Sequence, residues 1–390
     1  MFKFFPVCEH EIIKKYIILY FYTYVTLFEQ MQNIDLSNIE PQKRTRIKDI
    51  AQKAKVSTGT VDRVLHGRGE VSAKTREKVL SILEEMDYKP NILASTLASQ
   101  KEHHFAVLIP ESQDEESYWN KPLTGINRAF SDLIEYGVRI KTYMFSPSNP
   151  DSFNAKTGEI LETPIEGVIM APFFIKESKS FIEKLDEKNI PYVFIDSNLK
   201  ETNQISYIGQ NSFQCGSLAA RLFDLIIHGQ GNILVVHLAK KMDNQNHLIQ
   251  REKGFYDYFT VNSNHKKQLT TIEIEDDAEE KLYSCMDNHL KEIGIIDGIF
   301  VTNSKVHLIA EYIKKRNLSS IHLIGHDLII QNVKWLKEGV VDFLICQRPE
   351  EQGYNAVDAL FNHVLLKKQV EKENYTSIDI ITKENIDFYK

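Results

Sequence analysis

From residue 105 onward the chain repeats one unit, a short apolar run followed by a stretch of helix length. The runs are FAVLIP (105–110), RIKTYMF (139–145), GVIMAP (167–172), PYVFID (191–196), NILVVHL (232–238), DGIFVTN (297–303), IHLIGHD (321–327) and DFLICQ (342–347). Most carry apolar residues on both alternating faces, so a sheet wetted on one side would expose them; they need cover on both sides. Amphipathic stretches between them supply it, among them Leu123–Tyr136, Phe213–Ile227 and Glu350–Leu366. The expected fold is α/β, with doubly wound parallel sheets. Two sets of runs, one before and one after about residue 210, predict two similar lobes over residues 103–390.

Ligands of such sheets bind beyond the carboxyl ends of the strands, and polar residues stand at those ends. Asp196 closes PYVFID, Asn303 closes DGIFVTN, Asp327 closes IHLIGHD and Gln347 closes DFLICQ. One strand-end Asp or Asn is as readily a helix cap. Four together point to a cleft with convergent polar groups.

Charge separates this body from what precedes it. The whole chain carries −7, yet Pro41–Lys101 holds thirteen Lys or Arg against seven Asp or Glu, a net of +6 that leaves −13 elsewhere. A basic module on an acidic body predicts a polyanionic partner for the module alone. Within it, Ile47, Ile50, Ala51 and Ala54 share one helical face, with Thr45 placed to cap. Ser57 is placed to cap a second helix with Val61, Val64 and Leu65 inward, stopped by His66-Gly67-Arg68-Gly69. Ser72 opens a third, with Val79, Ile82, Leu83 and Met86 inward. Two short helices about a tight connection, braced by a third, are the helix-turn-helix plan over 43–89. The plainer alternative is a three-helix bundle with a solvated basic face.

The residues themselves carry a resemblance. IKDIAQKAKVSTGTVDRVLHGRGEVSAKTREKVLSILEEMDYKPNILASTLA contains AxxAxVSxxTVxRVL, VSxxTRxxV and YxPNxxAxxLA in order and without a gap. It resembles the DNA-binding headpiece of lactose-repressor-type (LacI/GalR family) transcription regulators. The resemblance implies that the second helix enters the major groove. Its candidate contacts are Ser57, Thr58, Gly59, Thr60, Arg63 and His66, with Arg63 suited to a bidentate guanine contact. Gly59 departs from the family pattern, which places a larger polar residue there. Residues 90–102 resemble the family's hinge segment, with Asn91 and Ala94 on its DNA or pairing face and Leu97 as a minor-groove wedge.

The body resembles the effector domain of the same family and the related periplasmic sugar-binding proteins. That resemblance implies Tyr118 and Trp119 stacking on a sugar face. It also implies Arg251, Asp196, Asn303, Asp327 and Gln347 hydrogen-bonding hydroxyls, a suitable set because each hydroxyl both donates and accepts. Asn211 falls at the lobe crossover or at the ligand.

Composition excludes other classes. With 42% hydrophobic and 26% charged residues, neither wholesale disorder nor a polytopic membrane protein is available. Cys8, Cys215, Cys285 and Cys346 form no CxxC pair, which predicts a reducing, cytoplasmic setting rather than a disulfide framework. The apolar stretch Tyr16–Phe28 is shorter than the ~20 residues of a spanning helix. Residues 1–42 are read as an extension, with Met31 as the expected translation start and 1–30 upstream of it. No phosphate loop, serine elbow or metal-spaced histidine set occurs, so no cofactor, metal or catalysis is expected. The expected function is a DNA-binding regulator, repression by default, acting as a homodimer on a roughly palindromic operator under a sugar-like effector, without a membrane partner. The alternatives are a sugar receptor without DNA activity and an enzyme on the same scaffold.

Overall fold

The computed structural model describes residues 45–65, 67–88, 101–112, 117–238, 246–261, 267–275 and 278–389. The chain divides into two compact units, Met1–Asn91 and Ile92–Lys390. Residues 1–44, with the proposed start at Met31, lie outside the described residues.

The first unit holds three helices, α1 (Ile47–Ala54), α2 (Thr58–Leu65) and α3 (Ala73–Glu85). Ile50, Ala51, Ala54, Val61, Val64, Val79 and Ile82 form its buried core, all from the inward faces read in the sequence. Lys55 takes a left-handed backbone (φ 53°) that ends α1 after two turns and turns the chain into α2. Ser57 Oγ accepts from the Thr60 amide at 3.1 Å, and Ser72 Oγ from the Thr75 amide at 3.3 Å, so both serines cap as expected. Thr45 does not. Its hydroxyl donates to the Met86 carbonyl at 3.2 Å, pinning the start of α1 to the end of α3, while Asp49 reaches back to the Arg46 amide at 2.9 Å. The cap is one residue later because the α1 carboxylate, not a hydroxyl, satisfies the open amide.

The second unit begins with β1 (His103–Pro110), α4 (Asn120–Leu133), β2 (Val138–Phe145), α5 (Pro150–Leu161), β3 (Gly167–Met170), α6 (Ile175–Glu187), β4 (Tyr192–Ile195) and β5 (Ser206–Gly209). It continues with α7 (Ser212–Ile226), β6 (Gly231–His237), α8 (Asn246–Val261), β7 (Lys267–Glu273), α9 (Glu279–Ile293), β8 (Gly298–Val301), α10 (Val306–Arg316), β9 (His322–His326), α11 (Ile330–Lys337) and β10 (Phe343–Cys346). It ends with α12 (Pro349–Val364), β11 (Glu373–Tyr375) and β12 (Asp379–Ile381). The strands form two sheets of the same plan, ordered β11-β5-β4-β3-β1-β2 and β12-β10-β9-β8-β6-β7. All pairings are parallel except β10 with β12. Each sheet has a buried apolar cluster on either face, as runs without a polar side require.

A single division near residue 210 does not describe the lobes. α12 and β11 return to the first lobe, where Ala356, Val357, Leu360 and Phe361 pack against Phe105, Val107 and Ile126. β12 then goes back to the second sheet. The exchange is reciprocal, since α7 leaves the first sheet to cover Ile233, Val235 and Phe300 of the second. Backbone contact fixes both helix pairs. A Cβ on Gly125 of α4 would stand 1.9 Å from the Glu350 carbonyl oxygen of α12, and one on Gly216 of α7 only 1.8 Å from that of Arg251 on α8. Only glycine permits such approach. The second crossing sets where Arg251 stands.

Candidate functional site

Two surfaces gather the residues singled out in the sequence. In the first unit, Ser57, Thr58, Gly59 and Arg63 are exposed and Thr60 is half-buried, while Val61 and Val64 of the same helix are buried. α2 therefore shows polar side chains and an open glycine on its outer face. Ser57 Oγ and Thr60 Oγ1 are 2.9 Å apart, so both hydroxyls are engaged at the helix start, where amides point outward and favour an anion. The Arg63 Cδ lies 3.6 Å from where a Gly69 Cβ would be, which runs its stem past the following turn. His66, Asn91, Ala94 and Leu97 lie outside the described residues.

In the second unit, the fourth strand of each sheet ends in an aspartate with left-handed backbone, Asp196 (φ 65°) after β4 and Asp327 (φ 70°) after β9. The two are equivalent positions of the repeated plan. Non-glycine residues at positive φ are uncommon and concentrate at functional sites. Both are buried, and one oxygen of each is held: Tyr118 donates its hydroxyl to Asp196 at 2.9 Å, and Gln347 Nε2 donates to Asp327 at 3.0 Å. Gln347 Oε1 accepts from Arg251 Nη2 at 3.4 Å, and Arg251 Nη1 donates to the Thr302 carbonyl at 2.7 Å. Arg251 is 2% exposed, a buried cation held by amide oxygens rather than in direct contact with a carboxylate. Trp119 meets Tyr118 edge to face at 5.2 Å and packs on the first-lobe core.

The electrostatics follow from burial. Desolvation pushes the Asp327 carboxyl up to about 7; Arg251 and Gln347 oppose this, and the nearby Asp196 adds to it. Burial raises the Tyr118 phenol well above its usual range, with Asp196 and Asp327 adding to that. Tyr118 thus lies within reach of charged groups from both lobes, Asp196 of the first and Asp327 and Arg251 of the second.

Not every candidate joins this group. Asn211 caps α7, its Oδ1 accepting from the Gln214 amide at 3.1 Å. Asn303 bridges locally, donating to the Leu238 carbonyl at 2.9 Å and accepting from the Lys305 amide at 3.1 Å. Asn211 thus stands at the lobe crossover, and beside it Gln210, not singled out in the sequence, donates its Nε2 to the Cys346 and Ser377 carbonyls at 2.7 and 3.1 Å. Gln352, likewise unpredicted, accepts from the Asp196 amide at 3.1 Å and donates to the Gln347 carbonyl at 2.8 Å, tying the two strand ends together.

His247 is the third residue the sequence reading missed. It lines a recess with Ala171, Pro172, Phe173, Asp196 and Ser197, and its Nδ1 is buried without a hydrogen-bond partner among the described residues. Burial, reinforced by Arg251 against Asp196, pushes its pKa down to about 4, so the ring is neutral. It stands four residues before Arg251, one helical turn away on the same face. That spacing was the available signal.

No described helix is long and apolar enough to cross a membrane, and the described residues contain no cluster fit to hold a metal ion. Cys215, Cys285 and Cys346 are free thiols.

Comparison with known proteins agrees with both halves. Residues 46–91 match the model for bacterial regulatory proteins of the lacI family, and residues 105–368 match the periplasmic binding protein domain. The HTH-type transcriptional regulator MalR of Staphylococcus xylosus is 29% identical over 197 residues, which are 49% of this chain and 57% of that protein. A solute-binding protein of an ABC transporter from Burkholderia graminis, solved with D-arabinose, shares the fold with TM-score 0.66 and 19% identity over 74% of this chain and 98% of that one. A LacI transcriptional regulator from Bacteroides fragilis superposes with TM-score 0.70 and 33% identity, over 74% of this chain and the whole of the other. With a lacI-type headpiece ahead of a periplasmic-binding-protein body, the chain belongs to the lacI family of bacterial regulatory proteins.

Proposed function

We propose that this chain is a sequence-specific DNA-binding transcription regulator whose operator affinity is set by a small sugar-like effector held between its two lobes. One observation carries the reading. A single chain joins a helix-turn-helix unit with Thr58, Gly59 and Arg63 exposed on one helix to a two-lobed body with a buried Asp196–Tyr118 and Asp327–Gln347–Arg251 cluster. Arg63 reads a guanine edge; Ser57 and Thr60, engaged with each other and with the helix start, position phosphate. The regulator acts as a homodimer, so its operator is roughly palindromic. Repression relieved by the ligand is the default sign. The effector shifts DNA affinity only by as much as it distinguishes the two arrangements of the lobes.

Selection from a randomised duplex library, followed by footprinting with the purified full-length chain, tests this. Enrichment of a two-fold symmetric site protected over two half-sites is the expected result. A library that stays random, with binding that depends only on salt, would reduce the chain to a ligand receptor.

A further inference from the structure

The chain passes between its two lobes at 209–212 (β5 to α7), 346–349 (β10 to α12) and 375–379 (β11 to β12). One buried side chain joins all three crossings. Gln210, in the first and 2% exposed, donates Nε2 to the Cys346 carbonyl of the second at 2.7 Å and to the Ser377 carbonyl of the third at 3.1 Å. Its Oε1 accepts from the Cys215 thiol of α7 at 2.8 Å, so both ends of the amide are engaged. The other ties are pairwise: the Thr376 amide to the Gly209 carbonyl at 2.8 Å, Thr376 Oγ1 to the Gln347 carbonyl at 3.2 Å, and Arg348 Nε to Asp379 Oδ2 at 2.6 Å. Cys215 also precedes Gly216, whose close approach to the Arg251 carbonyl fixes the helix that presents Arg251 to the cleft. Three untied strands could twist independently as the lobes move. A buried amide bonded to all of them makes partial movement leave a donor or acceptor unpaired, which is costly, so the crossings change together or not at all. Transmission between distant sites needs such an element with two discrete arrangements.

We propose that Gln210 is a positioning residue that clasps the three crossings into one hinge, so that a change in lobe arrangement is passed on undivided. It acts through the crossings rather than through contact with the effector. The consequence for ligand-to-duplex coupling rests on the regulator reading given above; the consequence for the hinge itself does not.

The test is amide hydrogen exchange of the full chain, without ligand, in wild type and Gln210→Met, which keeps the length of the side chain and removes its N–H donors. In wild type the three crossings should open with one shared rate. In the variant they should exchange faster, on the order of 10- to 100-fold, and at separate rates. Met286→Ala is the control: it damages the second lobe in α9, after edge strand β7 and at the opposite edge of the sheet from β10 and β12. A merely structural role for Gln210 predicts the same pattern in both variants. Should Gln210→Met fail to fold, Cys215→Ala removes only the donor to Oε1 and should give a smaller rise at all three crossings; Cys215→Ser, whose hydroxyl also donates, should restore the wild-type rate. Crossings that keep one rate in Gln210→Met, or a rise no different from that of Met286→Ala, overturn the proposal. Duplex binding is then measured with and without D-glucose, D-galactose, D-arabinose, D-allose and maltose. A sugar that shifts wild-type duplex affinity by on the order of 5- to 150-fold should shift that of Gln210→Met by less than about 3-fold. Equal shifts in both overturn the clasp and leave the regulator reading standing. If no sugar shifts the wild type, the sugar-response reading fails and the exchange rates alone judge the clasp.

Discussion

The two units handle their polar residues in opposite ways. The helical unit buries only apolar side chains and turns Thr58, Gly59 and Arg63 outward. Every buried polar or charged residue among those described, from Thr157 to Thr376, belongs to the two-lobed unit. A surface that reads a duplex needs polar groups in water until the partner arrives, and the core beneath is free to be purely apolar. A cleft that captures a small molecule must hold its polar groups dry, so each needs a neighbour, as Asp327 needs Gln347 and Arg251. Substitutions at the helix face should therefore change recognition at constant stability, whereas those at the cleft should change both.

The largest expected effect probes the scaffold of the cleft. Gly216→Val places a side chain where even a Cβ would stand 1.8 Å from the Arg251 carbonyl oxygen. It should cost the two-lobed unit about 4 kcal/mol or more in chemical denaturation. Amide exchange in α1 and α3 should be unchanged. A tolerated valine would mean that the crossing of α7 and α8 is not fixed by backbone contact.

Next comes the pH dependence of the buried acid. Asp327 ionises near 7 in the folded chain, above the ordinary aspartate value of 3.8, so between these limits the folded state binds more protons than the unfolded one. Its contribution to stability is full below pH ~4 and is lost as pH rises through ~7. The groups facing it are Arg251, Asp196, Tyr118, Cys215 and Cys346, and of these only Arg251 opposes the rise. Denaturation of wild type and Asp327→Asn at pH 5 and pH 8 should show the wild type losing about 2–3 kcal/mol relative to the variant. Parallel pH profiles would contradict a buried, protonatable Asp327.

Arg63→Ala tests the other side of the contrast. Binding to a selected duplex should weaken about 10- to 100-fold, while the melting temperature and sugar affinity stay as they were. A lower melting temperature would show that the arginine supports the fold. Smallest is Ser72→Ala, which removes the cap at the start of α3. About 1 kcal/mol of protection should be lost in the α3 amides, with none lost in the two-lobed unit.

The same contrast explains what could be read from sequence. Helix faces and two of the three caps in the first unit were legible because a short apolar period and a serine before it are local signals. Thr45 misled because its partner, Met86, lies at the far end of α3. In the second unit the repeated plan and the paired aspartates at strand ends were visible, since both are properties of single strands. Asn211 and Asn303 carry the same local signal, and their side chains cap α7 and bridge to Leu238; residue type alone does not name these partners. The return of α12 to the first lobe was hidden because order along the chain does not name the sheet a helix covers. The edge strand β7, with only Ile272 buried, lacked the apolar signature of its neighbours.

The central claim is that the cleft and the DNA-reading face are energetically coupled. It is tested most directly by titrating the full chain with its tightest-binding sugar, once free and once saturated with a selected duplex. Linkage requires the sugar affinity to change by the same factor by which the sugar changes duplex affinity, on the order of 5- to 150-fold. Equal sugar affinity in the two titrations would contradict the account.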